Sequence, residues 1–153
     1  MMNGVRGQNL RLEEAMPSIR HFAIWSDNPT SLADFYHNVF DMDVVWNMGP
    51  NVFMSDGVIN VALLKTRPDG PRGIQHFGFR VEDFEEIKRR LEVAEVDPPV
   101  MKPGDGRYAE WGARDPEGNP FDIGIQGWET ERTQQDMPEE EYYERRRKLG
   151  ITN

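Results

Sequence analysis

Arg20-His21-Phe22-Ala23-Ile24-Trp25-Ser26-Asp27 returns, altered but recognisable, as Gln75-His76-Phe77-Gly78-Phe79-Arg80-Val81-Glu82. A unit that recurs at this spacing marks a duplicated module. Each copy leads into a helical pattern. Pro29 to Phe40 reads as the first helix, with Asp27 or Asn28 as cap and Pro29 in the first turn. Leu32, Phe35, Tyr36, Val39 and Phe40 form one apolar stripe, and Asp41 falls where a left-handed cap belongs. Phe84 to Ala94 reads as the second helix: Asp83 and Glu86 have capping-box spacing, and Phe84, Ile87, Leu91 and Ala94 share a face. Strand-like runs follow each helix: Val44–Asn47, Val52–Ser55 and Val58–Lys65, then Val100–Lys102, Tyr108–Arg114 and Phe121–Gln126. Turn residues, such as Asp115-Pro116-Glu117-Gly118-Asn119, separate them.

Each half is therefore strand–helix–strand–strand–strand, an α+β arrangement of two modules, residues 18–66 and 73–126, joined by the linker Thr66 to Gly73. Residues 1–17 read as a flexible leader and 127–153 as a C-terminal helical tail. In that tail Asp136 can cap a helix that starts with acidic and ends with basic residues, matching the macrodipole. A solvated terminal helix is the simpler reading, a dimer-docking arm the other.

Composition narrows the function. The 153 residues carry 27 acidic and 18 basic side chains, a net charge of −9, which argues against nucleic acid or an anionic membrane surface as partner. No apolar run approaches the ~18 residues of a spanning helix. The absence of cysteine excludes disulfides, thiolate metal sites and cysteine nucleophiles. A cytoplasmic location is the expectation.

Strand side chains alternate faces. Phe22 and Ile24, Phe77 and Phe79, and Phe121, Ile123 and Ile125 would meet the helices. The opposite face carries His21, His76 and Asp122, with Ala23, Gly78 and Gly124 keeping the floor low. Two imidazoles and a carboxylate on one face match a facial triad for a divalent metal with positions open to substrate. The same spacing also fits a sheet face turned to water, or core histidines bonded to backbone.

The segments IRHFAIWSDNPTSLADFYHNVFDMDVV, IQHFGFRVEDFEEIKRRL and ARDPEGNPFDIGI resemble the vicinal oxygen chelate superfamily, also called the glyoxalase, bleomycin-resistance and extradiol-dioxygenase superfamily. The resemblance runs from about Ser18 to Gln126. It implies two βαβββ modules curled into a half-barrel, one divalent ion held by His21, His76 and Asp122, and a homodimer. The family more often has Glu at the third position. The strand Asn60-Val61-Ala62-Leu63-Leu64 offers no fourth ligand of the glyoxalase type, which leaves the three-ligand set of extradiol dioxygenases. Those enzymes use a further histidine, whereas His37 lies on a helix off the apolar stripe. Tyr108 or Glu110 is then the expected proton carrier.

Arg80, further along the face of His76, is expected to clamp an anionic substrate group and to assist catalysis, or else to pair at the rim. Trp25 and Gln126 are expected substrate contacts, with edge packing and plain solvation as the alternatives. Gly104-Asp105-Gly106 is a candidate lid. The expected function is a metal-dependent enzyme acting on a small oxygenated substrate, most specifically a dioxygenase with Fe2+. Isomerase or lyase chemistry with Mn2+, Ni2+ or Zn2+ comes next. The alternative is a metal-free drug-binding protein whose cleft is lined by Trp25, Trp46 and Trp111. An interaction protein recruiting partners through its acidic surface and C-terminal helix is a third reading.

Overall fold

A computed structural model describes residues 16–103 and 109–151. The expected leader lies almost wholly outside the described residues, as do Tyr108 and Gly104-Asp105-Gly106.

Strand β1 (Ser18–Ser26) leads into helix α1 (Pro29–Phe40), then β2 (Asp43–Met48), β3 (Asn51–Ser55) and β4 (Asn60–Lys65). The second half repeats this as β5 (Gly73–Arg80), α2 (Phe84–Val93), β6 (Val100–Met101), β7 (Glu110–Arg114) and β8 (Pro120–Gly124), and α3 (Glu139–Lys148) follows. The strands form one mixed sheet in the order β2-β3-β4-β1-β5-β8-β7-β6. Within each half the first strand runs parallel to the last, and β1 and β5 join the halves antiparallel at the centre. The fold is thus α+β.

Both expected caps form. The Asn28 side chain accepts from the Ser31 amide, and Asp83 accepts from Glu86. Asp41 closes α1 in the left-handed conformation. The helices lie on one face of the sheet. Ala33 of α1 packs with Val52, Met54 and Leu63, while Phe84, Ile87 and Leu91 of α2 pack with Val81, Phe121 and Ile123. The α1 stripe is only half used: Leu32 and Tyr36 pack inward, whereas Phe35, Val39 and Phe40 are exposed.

β4 starts later, and β8 ends earlier, than the alternation predicts. Asp56 Oδ1 accepts from the amides of Val58 and Ile59, and this turn delays β4 until Asn60. β8 ends at Gly124, so Ile125 and Gln126 leave the ladder and are exposed.

The tail departs most from expectation. Asp136 does not cap the helix; its carboxylate accepts from the Asn47 amide and side chain, and α3 begins after Pro138. Met137 bridges to Met48, and its carbonyl accepts from Gly49. The tail thus lies across the sheet face opposite the helices. There Met137 packs on a cluster of Ala23, Val45, Trp46, Phe53 and Ala62. No helix among the described residues is long and apolar enough to cross a membrane.

Candidate metal centre

Register draws the site residues into one line. Asn60 pairs with His21, His21 with Gly78, Gly78 with Asp122, and Asp122 with Gly112, spanning β4, β1, β5, β8 and β7. His76 lies in the adjacent line, opposite Ala23. His21, His76 and Asp122 are all buried, and one ligand atom from each falls within 4.8 Å of the others. An ion bonded at ~2 Å bridges donors up to ~4 Å apart, so small ring rotations suffice to close the set.

Hydrogen bonds select the tautomers. Asn60 Nδ2 donates to the Glu129 carbonyl, which turns Asn60 Oδ1 toward His21 Nδ1 at 2.9 Å. His21 Nδ1 must therefore carry the proton, leaving a lone pair on Nε2. Gln75 Oε1 contacts His76 Nδ1 and sets the same tautomer. His76 Nε2 lies 2.9 Å from Asp122 Oδ2 but out of line for an N–H···O bond, so it is buried without a hydrogen-bond partner among the described residues. A lone pair facing a carboxylate oxygen is the arrangement a cation relieves. The donor set therefore fits a divalent ion.

Electrostatics agrees. Burial, reinforced by His76, lowers the His21 pKa to about 4, so its ring is neutral, as a ligand must be. Burial pushes the Asp122 carboxyl up, but the charge of His76 in its protonated form and the Lys102 ammonium outweigh it and hold the group below its usual range; a divalent ion would take the place of that proton when Nε2 offers its lone pair. Lys102 Nζ sits 2.6 Å from Oδ1 and 2.7 Å from Oδ2 of Asp122.

Glu110 pairs with Gly124 and so lies on the site face. Burial first, then the Asp122 charge, raises its pKa. Trp128 shields it and hydrogen-bonds its carboxylate. That indole stacks on His21, 5.1 Å between centroids and 5° between planes, and lies over the bare backbone of Gly78 and Gly124.

The other expected contacts lie elsewhere. Arg80 is exposed in a separate cleft that Arg20, Trp128 and Thr130 also line. Trp25 lines a separate cleft between the linker and α3. Gln126 is exposed beyond the end of β8, because the strand stops two residues short of it. His37 is also exposed, with its Nδ1 on the Met42 carbonyl. The three tryptophans share no cleft: Trp111 stacks on Phe84 under α2, and Trp46 is buried beneath the tail, where its Nε1 donates to Gln135. Two members of the triad, His76 and Asp122, open instead on a cleft of about 340 Å³ that Lys102, Gly112 and Arg114 also line.

Asn60, Lys102 and Trp128 were not singled out from sequence. Asn60 carried a signal, a polar residue heading an otherwise apolar strand. Lys102 and Trp128 act across long chain separations and left none.

The family model described as "Glyoxalase/Bleomycin resistance protein/Dioxygenase superfamily" matches residues 18–123. No curated protein matches the chain by sequence. Among solved structures, methylmalonyl-CoA epimerase from Mycobacterium tuberculosis is 17% identical over 76% of this chain and 88% of that one, with a TM-score of 0.57. The Mn(II)-bound glyoxalase from Novosphingobium aromaticivorans is 20% identical over 82% of this chain and 44% of that one, with a TM-score of 0.60. A 2,3-dioxygenase from a Pseudomonas species is 18% identical over 80% and 48%, with a TM-score of 0.59. The chain thus spans most of the epimerase and less than half of the other two. At these identities the likeness is one of fold.

Proposed function

The chain belongs to the glyoxalase, bleomycin resistance protein and dioxygenase superfamily, and on that footing we propose that it is a metal-dependent enzyme whose small substrate binds through adjacent oxygens. One observation carries this: two buried imidazoles with inward lone pairs meet a buried carboxylate within 4.8 Å. His21 Nε2, His76 Nε2 and the Asp122 carboxylate would hold the ion. A divalent ion there supplies Lewis-acid stabilisation of charge on the substrate oxygens.

The protein's own residues do the rest. Asn60 and Gln75 hold the rings in their ligand tautomers. Glu110, whose pKa burial raises, would be the group that accepts a proton from the substrate carbon next to those oxygens and hands it back. Trp128 covers Glu110 and keeps water from that side. Substrate enters from the cleft of Lys102 and Arg114.

Proton transfer of this kind favours isomerase, epimerase or lyase chemistry. Dioxygenase chemistry is the second reading, favoured by the three-ligand set. Ala62, paired with Ala23, stands in the first module where Asp122, paired with Gly78, stands in the second, so a fourth ligand is missing. The homodimer implied by the resemblance belongs to this proposal too.

Elemental analysis of anaerobically purified protein is the test, with about one metal per chain expected and none in His76→Ala. Solvent-deuterium exchange into substrates with adjacent oxygens separates proton transfer from oxygen uptake. Protein that stays metal-free at saturating Fe(II), Mn(II) and Zn(II) overturns the proposal.

A further inference from the structure

We infer that Lys102 is a built-in counter-cation that competes with the metal for Asp122, so that loading the site exchanges an ammonium for a divalent ion. The inference rests on the metal reading above and adds a residue to it. Three observations carry it.

First, Lys102 Nζ engages both oxygens of Asp122, at 2.6 and 2.7 Å, and Oδ2 is the oxygen that faces His76 Nε2. An ion bonding that oxygen at ~2 Å would lie within a few ångströms of the ammonium. Two cations cannot share one buried carboxylate at that separation without strong repulsion. Second, the floor is shaped for the lysine. A Cβ on Gly112 would lie 3.2 Å from Lys102 Cε, so glycine opposite Asp122 lets the stem cross the sheet surface. Third, the lysine has somewhere to go. Its side chain is one-third exposed (36%), while that of Asp122 is 3% exposed. It lines the open cleft, into which a flexible four-carbon stem can swing.

The arrangement answers a problem any buried carboxylate ligand has before its ion arrives. Unpaired, the buried Asp122 carboxylate would destabilise the fold. Lys102 keeps it paired and the metal-free fold stable, at the expense of metal affinity. Arg114 lines the same cleft but bonds the Gly118 carbonyl, so among the described residues Lys102 is the cation on Asp122.

The test is calorimetric titration of Mn(II) and Zn(II) into full-length wild type, Lys102→Met and Lys102→Arg, with thermal unfolding of each, metal-free and loaded. Lys102→Met should bind metal roughly 10- to 100-fold more tightly than wild type, the range that partners of metal ligands commonly set. Metal-free it should melt lower, and metal should raise its Tm more than that of wild type. Lys102→Arg, which keeps the charge, should not gain affinity. Metal binding in Lys102→Met equal to or weaker than wild type overturns the competition and leaves the metal reading standing. No binding in any of the three proteins overturns both.

Discussion

Gly78→Ala should damage the centre through Trp128. The new Cβ would stand 2.8 Å from Trp128 Cζ2, 2.9 Å from Cη2 and 3.1 Å from His21 Cβ. Carbon contacts settle near ~3.5–4.0 Å, so ring and methyl must part by roughly 0.7 Å. The indole has little room to retreat. It is buried, stacked on His21, held to Glu110, and only 3.1 Å from where a Cβ would stand on Gly124. Trp128 also holds a positive φ of 55°, which ties the ring to a constrained backbone. Overpacking of this kind costs about 1–3 kcal/mol. Because His21 is the other wall of the stack, metal affinity should fall as well. Denaturant unfolding of a double-mutant cycle isolates the contact. Trp128→Ala alone should cost about 3–5 kcal/mol. Adding Gly78→Ala to it should cost far less than in wild type, giving a coupling of roughly 1–3 kcal/mol. Equal costs in both backgrounds, or a Gly78→Ala protein within ~0.5 kcal/mol of wild type, would refute the close approach.

Three further outcomes follow from the same geometry. Asn60→Ala should lower metal affinity about 10- to 100-fold by freeing the His21 tautomer, and unchanged affinity in a calorimetric titration would remove Asn60 from the centre. In chelator, stability should fall as pH drops from 6.5 to about 4, because the unfolded chain protonates His21 first and binds the extra proton throughout that window. The loss is roughly 3 kcal/mol at ~1.4 kcal/mol per pH unit, and His21→Gln should flatten the profile. Glu110→Gln should be at least as stable as wild type at pH 7, since a carboxyl raised above 4.5 loses stability as pH climbs through its folded value. Turnover should nonetheless fall ~10²- to 10⁴-fold, and an active variant would rule out Glu110 as the proton carrier.

The duplicated module was legible because its signals are local. Alternation in Arg20–Asp27 and Gln75–Glu82, capping residues before each helix, and the Asp115–Asn119 turn all act within a few positions. The line-up of His21, His76 and Asp122 on one face needed only strand parity. Parity fails where a strand ends, and whether a strand continues is decided by pairing partners distant in sequence. Gln126 was placed on the site face for that reason, yet β8 stops at Gly124. The α1 stripe misled similarly: Ala33, small enough to let the helix approach β3 and β4, takes the buried position, and Phe35 and Phe40 are left outside.

The tail explains why, among the described residues, the metal-ligand cluster lies in the second half's place and not in the first's. Duplication provides two equivalent places beside the central strands. In the second module the place is floored by Gly78 and flanked by Asp122, and a cleft reaches it. In the first, Ala23 and Ala62 occupy the matching positions, and Met137, Trp46 and Phe53 close over them. A carboxylate at 62 would be buried among Ala23, Trp46, Phe53 and Met137, a cost of several kcal/mol unless it were paired. Alanine at 62 and the apolar strap are therefore two sides of one choice. The same strap brings Glu129 to Asn60 and Trp128 to His21, so it closes one place and orders a ligand for the other. Cutting the chain after Gly127 should therefore weaken metal binding as well as the fold, although no tail residue is among the three ligands.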